Sequence, residues 1–164
     1  MTSVYRSCLD FYFLWIRPRA LGGDDPLTRG YRSLRNGDCE KAITCFCDAL
    51  RVESGNSLAY ALRANAYLDK REFEMAIADA SAAIGRNPQL DFAFFIRAGA
   101  YQRNGRYAMA IADLTEAIRL YSNDANYFHH RGVVFGLMGD SDKAVADQSI
   151  ANRLDPLLTS AHES

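Results

Sequence analysis

The sequence predicts an all-α protein built from four helical hairpins of equal length. Arginines recur every 34 residues, each followed directly by glycine or alanine, and they are Arg29, Arg63, Arg97 and Arg131. Two columns of alanines keep the same period, at Ala42, Ala76, Ala110 and Ala144 and at Ala49, Ala83, Ala117 and Ala151. A period of this length indicates a repeat architecture, in which each unit buries its apolar face only by stacking on its neighbours.

Residues 1–22 precede the first repeat and contain the six-residue apolar run 11–16. That run is too short to cross a membrane, which takes about 20 apolar residues. It also lacks the small-residue cleavage site that follows the apolar part of a signal peptide. We therefore predict no membrane association and no export, and we expect this aromatic segment to pack on the first repeat.

The four units are predicted at residues 23–56, 57–90, 91–124 and 125–156, followed by a short tail at 157–164. In the third unit, Phe94, Ala98 and Tyr101 form the apolar stripe of a first helix. Gly105 then ends that helix, as glycine does in the left-handed position past a helix end. A second apolar stripe follows from Tyr107 onward. Units one and four also carry glycine at this turn, whereas unit two carries arginine; the three residues are Gly37, Gly139 and Arg71.

These units resemble tetratricopeptide repeats. The family's three small positions are small in all four units, and its aromatic position in the first helix holds Tyr67, Tyr101 and Phe135 in units two to four. The resemblance implies a right-handed α-solenoid of stacked antiparallel helix hairpins. It also implies that the first helices line a concave surface and that the second helices form the convex back.

An aspartate follows three of the column arginines at a distance of sixteen residues. The predicted structural pairs are Arg63 with Asp79, Arg97 with Asp113, and Arg131 with Asp147. A bidentate pair between the two helices of one hairpin would satisfy both charges. An anion-binding ladder of arginines is the alternative. We favour structural pairing because the aspartates recur together with the arginines.

The resemblance also places certain side chains on the concave surface, and several of them are apolar or aromatic. Exposed apolar surface with polar edges usually marks an interaction site. We predict that a partner contacts seven concave-surface residues: Tyr31, Leu58, Asn65, Phe92, Phe95, Arg103 and His129. In the alternative reading, Phe92 and Phe95 cover their own hairpin or are covered by the N-terminal segment.

Some members of this family grip the terminal carboxylate of a chaperone with lysine, asparagine and arginine. At the matching positions this chain has Leu27 and Tyr31 in unit one, and Phe95 and Gly99 in unit three. Only Asn65 agrees with that pattern. The sequence therefore argues against a co-chaperone of this type.

Nothing in the sequence predicts catalysis, a metal site or a cofactor. His129 and His130 are adjacent, so on a helix they diverge by about 100° and do not chelate one ion as an i, i+4 pair does. The net charge of −1 argues against nucleic-acid binding, because affinity for nucleic acids depends mainly on basic residues that neutralise phosphates. Cys39, Cys45 and Cys47 lie within one predicted hairpin, and we expect reduced thiols in a cytoplasmic protein.

The sequence thus predicts a non-catalytic scaffold that binds a peptide or a helix of another protein. Two alternatives remain open. One is self-association into a homodimer through the N-terminal segment or through the uncapped C-terminal hairpin. The other is a docking domain for a separately encoded enzyme.

Overall fold

The computed structural model describes residues 25–156, and the predictions for residues 1–22 and for the tail 157–164 lie outside this range. Within it, eight α-helices form four antiparallel hairpins stacked in sequence order, and no strand occurs. The helices are α1 (Pro26–Arg35), α2 (Cys39–Val52), α3 (Ser57–Asp69), α4 (Phe73–Arg86), α5 (Asp91–Arg103), α6 (Tyr107–Leu120), α7 (Ala125–Leu137) and α8 (Ser141–Leu154). The predicted all-α solenoid is confirmed.

Side-chain caps determine where several helices begin. The side chain of Asp25 accepts a hydrogen bond from the backbone N–H of Thr28 at 3.1 Å, directly before Pro26 opens α1. Asn56 caps α3 in the same way by accepting from the N–H of Ala59 at 3.0 Å. Such caps satisfy backbone donors that have no partner within the helix.

Four residues with positive φ close the turns within the hairpins. Three are glycines, with φ of 81° at Gly37, 74° at Gly105 and 84° at Gly139. The fourth is Arg71, whose φ of 62° means that a residue other than glycine adopts the left-handed backbone conformation here. All four hairpins therefore turn in the same way, although only three have the residue that favours this conformation.

Small residues form the interior between the helices. Ala42, Ala76 and Ala110 are completely buried, and so are Ala83 and Ala117 in the second column. In unit one, the two helices of the hairpin also pack through a glycine on α1 and a large side chain on α2. A Cβ atom added to Gly30 would lie 2.6 Å from the ring of Phe46, which is itself completely buried. Here a missing side chain on α1 makes room for a large one on α2.

Candidate functional site

The column arginines of units two to four lie against the aspartates of their own hairpins. In each pair, Nε and Nη2 of the guanidinium donate to the two carboxylate oxygens, with all six distances between 2.7 and 2.8 Å. The three pairs are Arg63–Asp79, Arg97–Asp113 and Arg131–Asp147. The aspartates are buried, so the arginines have their counter-charge inside the stack rather than in a ligand.

Each of these arginines has a second contact that the sequence analysis did not identify. Their Nη1 atoms donate to a side chain of the preceding hairpin, sixteen residues earlier. The acceptors are Cys47 Sγ at 3.1 Å, Ser81 Oγ at 3.0 Å and Thr115 Oγ1 at 3.2 Å. The acceptors themselves are 34 residues apart, so the repeat period was the available signal. Their different residue types concealed it.

Aromatic rings flank the same guanidinium groups. Arg97 lies 5.7 Å from the ring centroid of Phe94 and 5.9 Å from that of Tyr101. Arg131 has the equivalent neighbours Phe128 and Phe135, at 5.7 and 6.0 Å. These distances allow cation–π attraction. In unit two, the hydrogen bond to Asp79 raises the pKa of Arg63 further above its usual value, although partial burial opposes this shift.

The concave-surface residues differ in their accessibility. Asn65, Phe92 and Phe95 are 2%, 3% and 1% exposed, and Tyr31 is also buried. Leu58 and His129 are half-buried, whereas Arg103 is exposed. The sequence predicts an open apolar surface at these positions. Four of the seven are instead covered, and the prediction that a partner contacts them stays a prediction.

Phe95 lies in an aromatic cluster that joins units three and four. Its ring centroid is 5.0 Å from that of Tyr127 and 5.1 Å from that of His130, the latter in edge-to-face geometry. The hydroxyl of Tyr127 donates to Asp91 Oδ2 at 2.7 Å. Burial raises the pKa of the Asp91 carboxyl, and the hydrogen bond from Tyr127 partly opposes that shift. Tyr127 was not among the predicted site residues, because its position is not one that the family resemblance places on the concave surface.

The polar members of the surface make different contacts. Arg103 Nη1 donates to the backbone oxygen of Leu68 at 3.3 Å, which joins units two and three. His129 Nδ1 lies 3.1 Å from Gln148 Oε1 on α8. The Oδ1 atom of Asn65 is buried, and no hydrogen bond reaches it from the described residues. An unsatisfied buried carbonyl of this kind costs about 1–3 kcal/mol.

The side chains of His129 and His130 are not oriented to bind one ion together. Their rings are 5.6 Å apart and nearly perpendicular. Among residues 25–156, no group of three histidine, cysteine or acidic side chains lies close enough to hold a metal ion.

Across the same residues, no helix is long and apolar enough to cross a membrane.

Comparison with known proteins identifies the repeats. The sequence profile of the tetratricopeptide repeat family matches residues 27–91 and again residues 62–125. Small glutamine-rich tetratricopeptide repeat-containing protein 2 of Saccharomyces cerevisiae is 34% identical over 65 residues, which are 40% of this chain and 19% of the relative. The match thus spans about a fifth of the length of that relative.

Two solved structures share the architecture at 25% sequence identity. A thermophilic TPR protein of Thermus thermophilus superposes with a TM-score of 0.73, over 80% of this chain and 73% of its own. The second TPR domain of the human RPAP3 protein, solved in complex with an HSP70 peptide, superposes with a TM-score of 0.64. That match covers 67% of this chain and 92% of the RPAP3 domain.

Proposed function

Because this chain belongs to the tetratricopeptide repeat family, we propose that it is a non-catalytic scaffold that binds a peptide or a helix on its concave surface. The human RPAP3 domain with a similar fold was solved with a bound peptide, which supports this class of function. The single observation that carries the proposal is the pair of aromatic residues Phe92 and Phe95 on α5 together with Asn65 on α3, whose carboxamide oxygen receives no hydrogen bond from the described residues, although all three side chains are almost completely buried. Aromatic side chains of this kind anchor partners, and a carboxamide can bond a peptide backbone.

We propose further that the bound segment is apolar rather than a terminal carboxylate. Leu27, Tyr31, Phe95 and Gly99 stand where a carboxylate-gripping relative has basic or polar side chains. Arg103 is an exposed cation at the edge of this surface. Its Nη1 atom donates to the backbone oxygen of Leu68 in the neighbouring repeat. An apolar anchor with a few polar contacts fits this composition better than an anionic tail.

The proposed location is the cytoplasm. Among the described residues, Cys39, Cys45 and Cys47 are free thiols. Thiols that remain unpaired are typical of reducing compartments.

The binding surface is testable with a random-peptide display library selected on the full chain. Phe92, Phe95 and Gly99 are spaced by three and four residues, so they lie along one face of α5. Gly99→Glu would place a charged side chain on that face. Gly99 is buried, and the equivalent residues of the other units (Tyr31, Asn65 and Val133) carry side chains in this register.

We expect Gly99→Glu to weaken binding of the selected peptides at least tenfold, which corresponds to about 1.4 kcal/mol. The matched control is Met109→Glu, which adds the same charge at a half-exposed position on the convex helix α6. Circular dichroism would verify the fold of both variants. Equal peptide affinity for Gly99→Glu and the wild type would exclude the concave surface as the site.

Self-association is the second candidate function, and the terminal hairpin favours it. Leu137, Met138 and Val145 are 55%, 53% and 66% exposed. The residues equivalent to Leu137 and Met138 in units two and three are polar or charged, namely Asp69, Lys70, Arg103 and Asn104. An apolar turn thus occurs where no further described hairpin follows.

Light scattering on the full chain tests this second function over a range of concentrations. A homodimer through the terminal hairpin predicts twice the monomer mass, and Leu137→Lys combined with Val145→Lys should restore the monomer. A wild-type chain that stays monomeric at all concentrations would rule it out. A docking domain for a separately encoded enzyme would instead appear as selected peptides that match one enzyme's sequence.

A further inference from the structure

The burial of two concave-surface residues, Asn65 and Phe92, is not explained by the contacts between the described helices. Those helices pack on their neighbours in sequence, and the first helices α1, α3 and α5 also pack side by side. None of the eight lies across the surface that the first helices line. Yet Asn65 on α3 and Phe92 on α5, which are the first helices of units two and three, are only 2% and 3% exposed.

We propose that residues 1–24 of the same chain occupy this surface and act as an internal competitor for the partner. They end at Asp25, which caps the first of the helices that line the surface. First helices packed 8–10 Å apart make a surface about 30 Å long across four units. Twenty-four residues reach about 36 Å as a helix and about 80 Å when extended, so they are long enough in either form.

The chemistry of this segment fits the surface. Its six consecutive apolar residues, 11–16, include four aromatic ones. The surface offers Phe92 and Phe95, whose rings are suited to apolar contacts with such side chains. Two glycines, Gly22 and Gly23, lie just before Asp25 and α1, and glycine is the residue type most used where a chain reverses direction. The tail 157–164 is a poorer occupant, since it has no phenylalanine, tyrosine or tryptophan and follows a helix of the convex back.

The consequence for binding rests on the proposed function. A peptide that needs the same surface binds only the fraction of molecules in which the segment has left. Its apparent dissociation constant is the intrinsic constant divided by that fraction. If one molecule in ten is open, release of the segment strengthens binding about tenfold. The segment would then lower the apparent affinity of every peptide, so that only peptides with a high intrinsic affinity would bind.

Trp15 provides a direct test, because it is the only tryptophan and lies in the segment. We expect blue-shifted emission and protection from acrylamide quenching in the full chain. Gly99→Glu should shift the emission toward that of the denatured chain, while Met109→Glu should leave it unchanged. Emission of the wild type at the denatured wavelength would overturn the proposal. So would unchanged emission in a folded Gly99→Glu variant.

Photocrosslinking locates the segment without disturbing the surface. Phe13 is replaced by p-benzoylphenylalanine in the full chain, and the crosslinked peptides are identified by mass spectrometry. Crosslinks within one chain to α3, α5 or α7 support the proposal. Crosslinks to α4 or α6, crosslinks that double the mass, or the absence of any crosslink would each overturn it.

Binding measurements separate this inference from the proposed function. Trp15→Asp should bind the library-selected peptides about tenfold more tightly than the wild type, whereas Trp15→Phe should match it. Peptides that bind wild type and Trp15→Asp equally well would leave the scaffold function standing and refute the internal competitor. If the segment crosslinks to α5 but no peptide is selected, the segment is a permanent cover and the scaffold function fails.

Discussion

At the residue scale, each arginine of units two to four joins three helices. Arg97 bonds Asp113 of its own hairpin with two nitrogens and Ser81 of the preceding hairpin with the third. A planar guanidinium with donors in a fixed fork suits this task, whereas a lysine offers only one centre of charge. The arginine thus holds a hairpin closed and fastens it to its neighbour.

We expect Asp113→Ala to lower the free energy of unfolding by about 3 kcal/mol, because it leaves the partly buried guanidinium of Arg97 without its counter-charge. Chemical denaturation would measure the change. The control is Asp48→Ala, which removes an exposed pair with Arg51 on α2 and should cost less than about 1 kcal/mol. Loss of peptide binding by Asp113→Ala without any loss of stability would instead favour the arginine ladder as an anion site.

A second residue-scale prediction concerns the contact between Gly30 and Phe46. Gly30→Ala should destabilise the protein by about 1–3 kcal/mol, because its methyl group would overlap the completely buried ring of Phe46, which would have to shift. Gly85→Ala is the matched control. Nothing lies within 4 Å of a Cβ at Gly85, so the better helix propensity of alanine should stabilise α4 by about 0.5–1 kcal/mol. Thermal melts that moved in the same direction for both variants would contradict this packing account.

At the element scale, the hairpin turns show how one backbone geometry tolerates different residues. The turn in unit two has the same left-handed backbone as the others, although it carries Arg71. Helix packing on both sides holds the conformation there, since arginine alone prefers negative φ. The side chain of Arg71 is exposed. Its removal should therefore change little besides the backbone strain.

We accordingly expect Arg71→Gly to raise the free energy of unfolding by up to about 1 kcal/mol, as the left-handed conformation costs a non-glycine residue about 1–2 kcal/mol and glycine has a smaller entropic cost. Gly105→Ala, at the equivalent turn of unit three, should show the opposite change of similar size. Denaturant midpoints of the two variants check the pair of signs. A destabilised Arg71→Gly variant would mean that the arginine side chain has a role outside the turn.

At the scale of the whole molecule, stability should vary along the stack. In α5, nine residues are buried, whereas in α8 only Asp147 and Ala151 are. Stability in repeat proteins is approximately a sum of unit terms and interfaces between neighbours. A hairpin with a described neighbour on one side only has fewer such interfaces. It should open more often than the units inside the stack.

Amide hydrogen exchange on the dilute full chain measures this gradient. We expect the amides of α8 to exchange fastest among the described helices and those of α5 slowest, because local opening exposes little apolar surface in α8. Protection of α8 that rises with protein concentration would point to self-association through the terminal hairpin. Equal protection of α5 and α8 at all concentrations would contradict the gradient.

The sequence by itself determined the hairpins, their order and the spacing of the arginine–aspartate partners. These features are set by local periodicity, since a helix brings residues three and four apart onto one face, and small residues allow the helices to approach. The 34-residue period then repeats the same packing in each unit. For this reason, the sequence alone predicts the pairing of Arg97 with Asp113.

Only the tertiary structure decided which concave-surface residues are accessible. Phe92 and Leu58 occupy equivalent positions in successive units, yet the first is buried and the second half-buried. The third bond of each arginine and the φ of Arg71 also depended on the folded neighbours. Burial and backbone strain depend on what lies opposite a residue in space, and a repeat period specifies only what lies on its own helix.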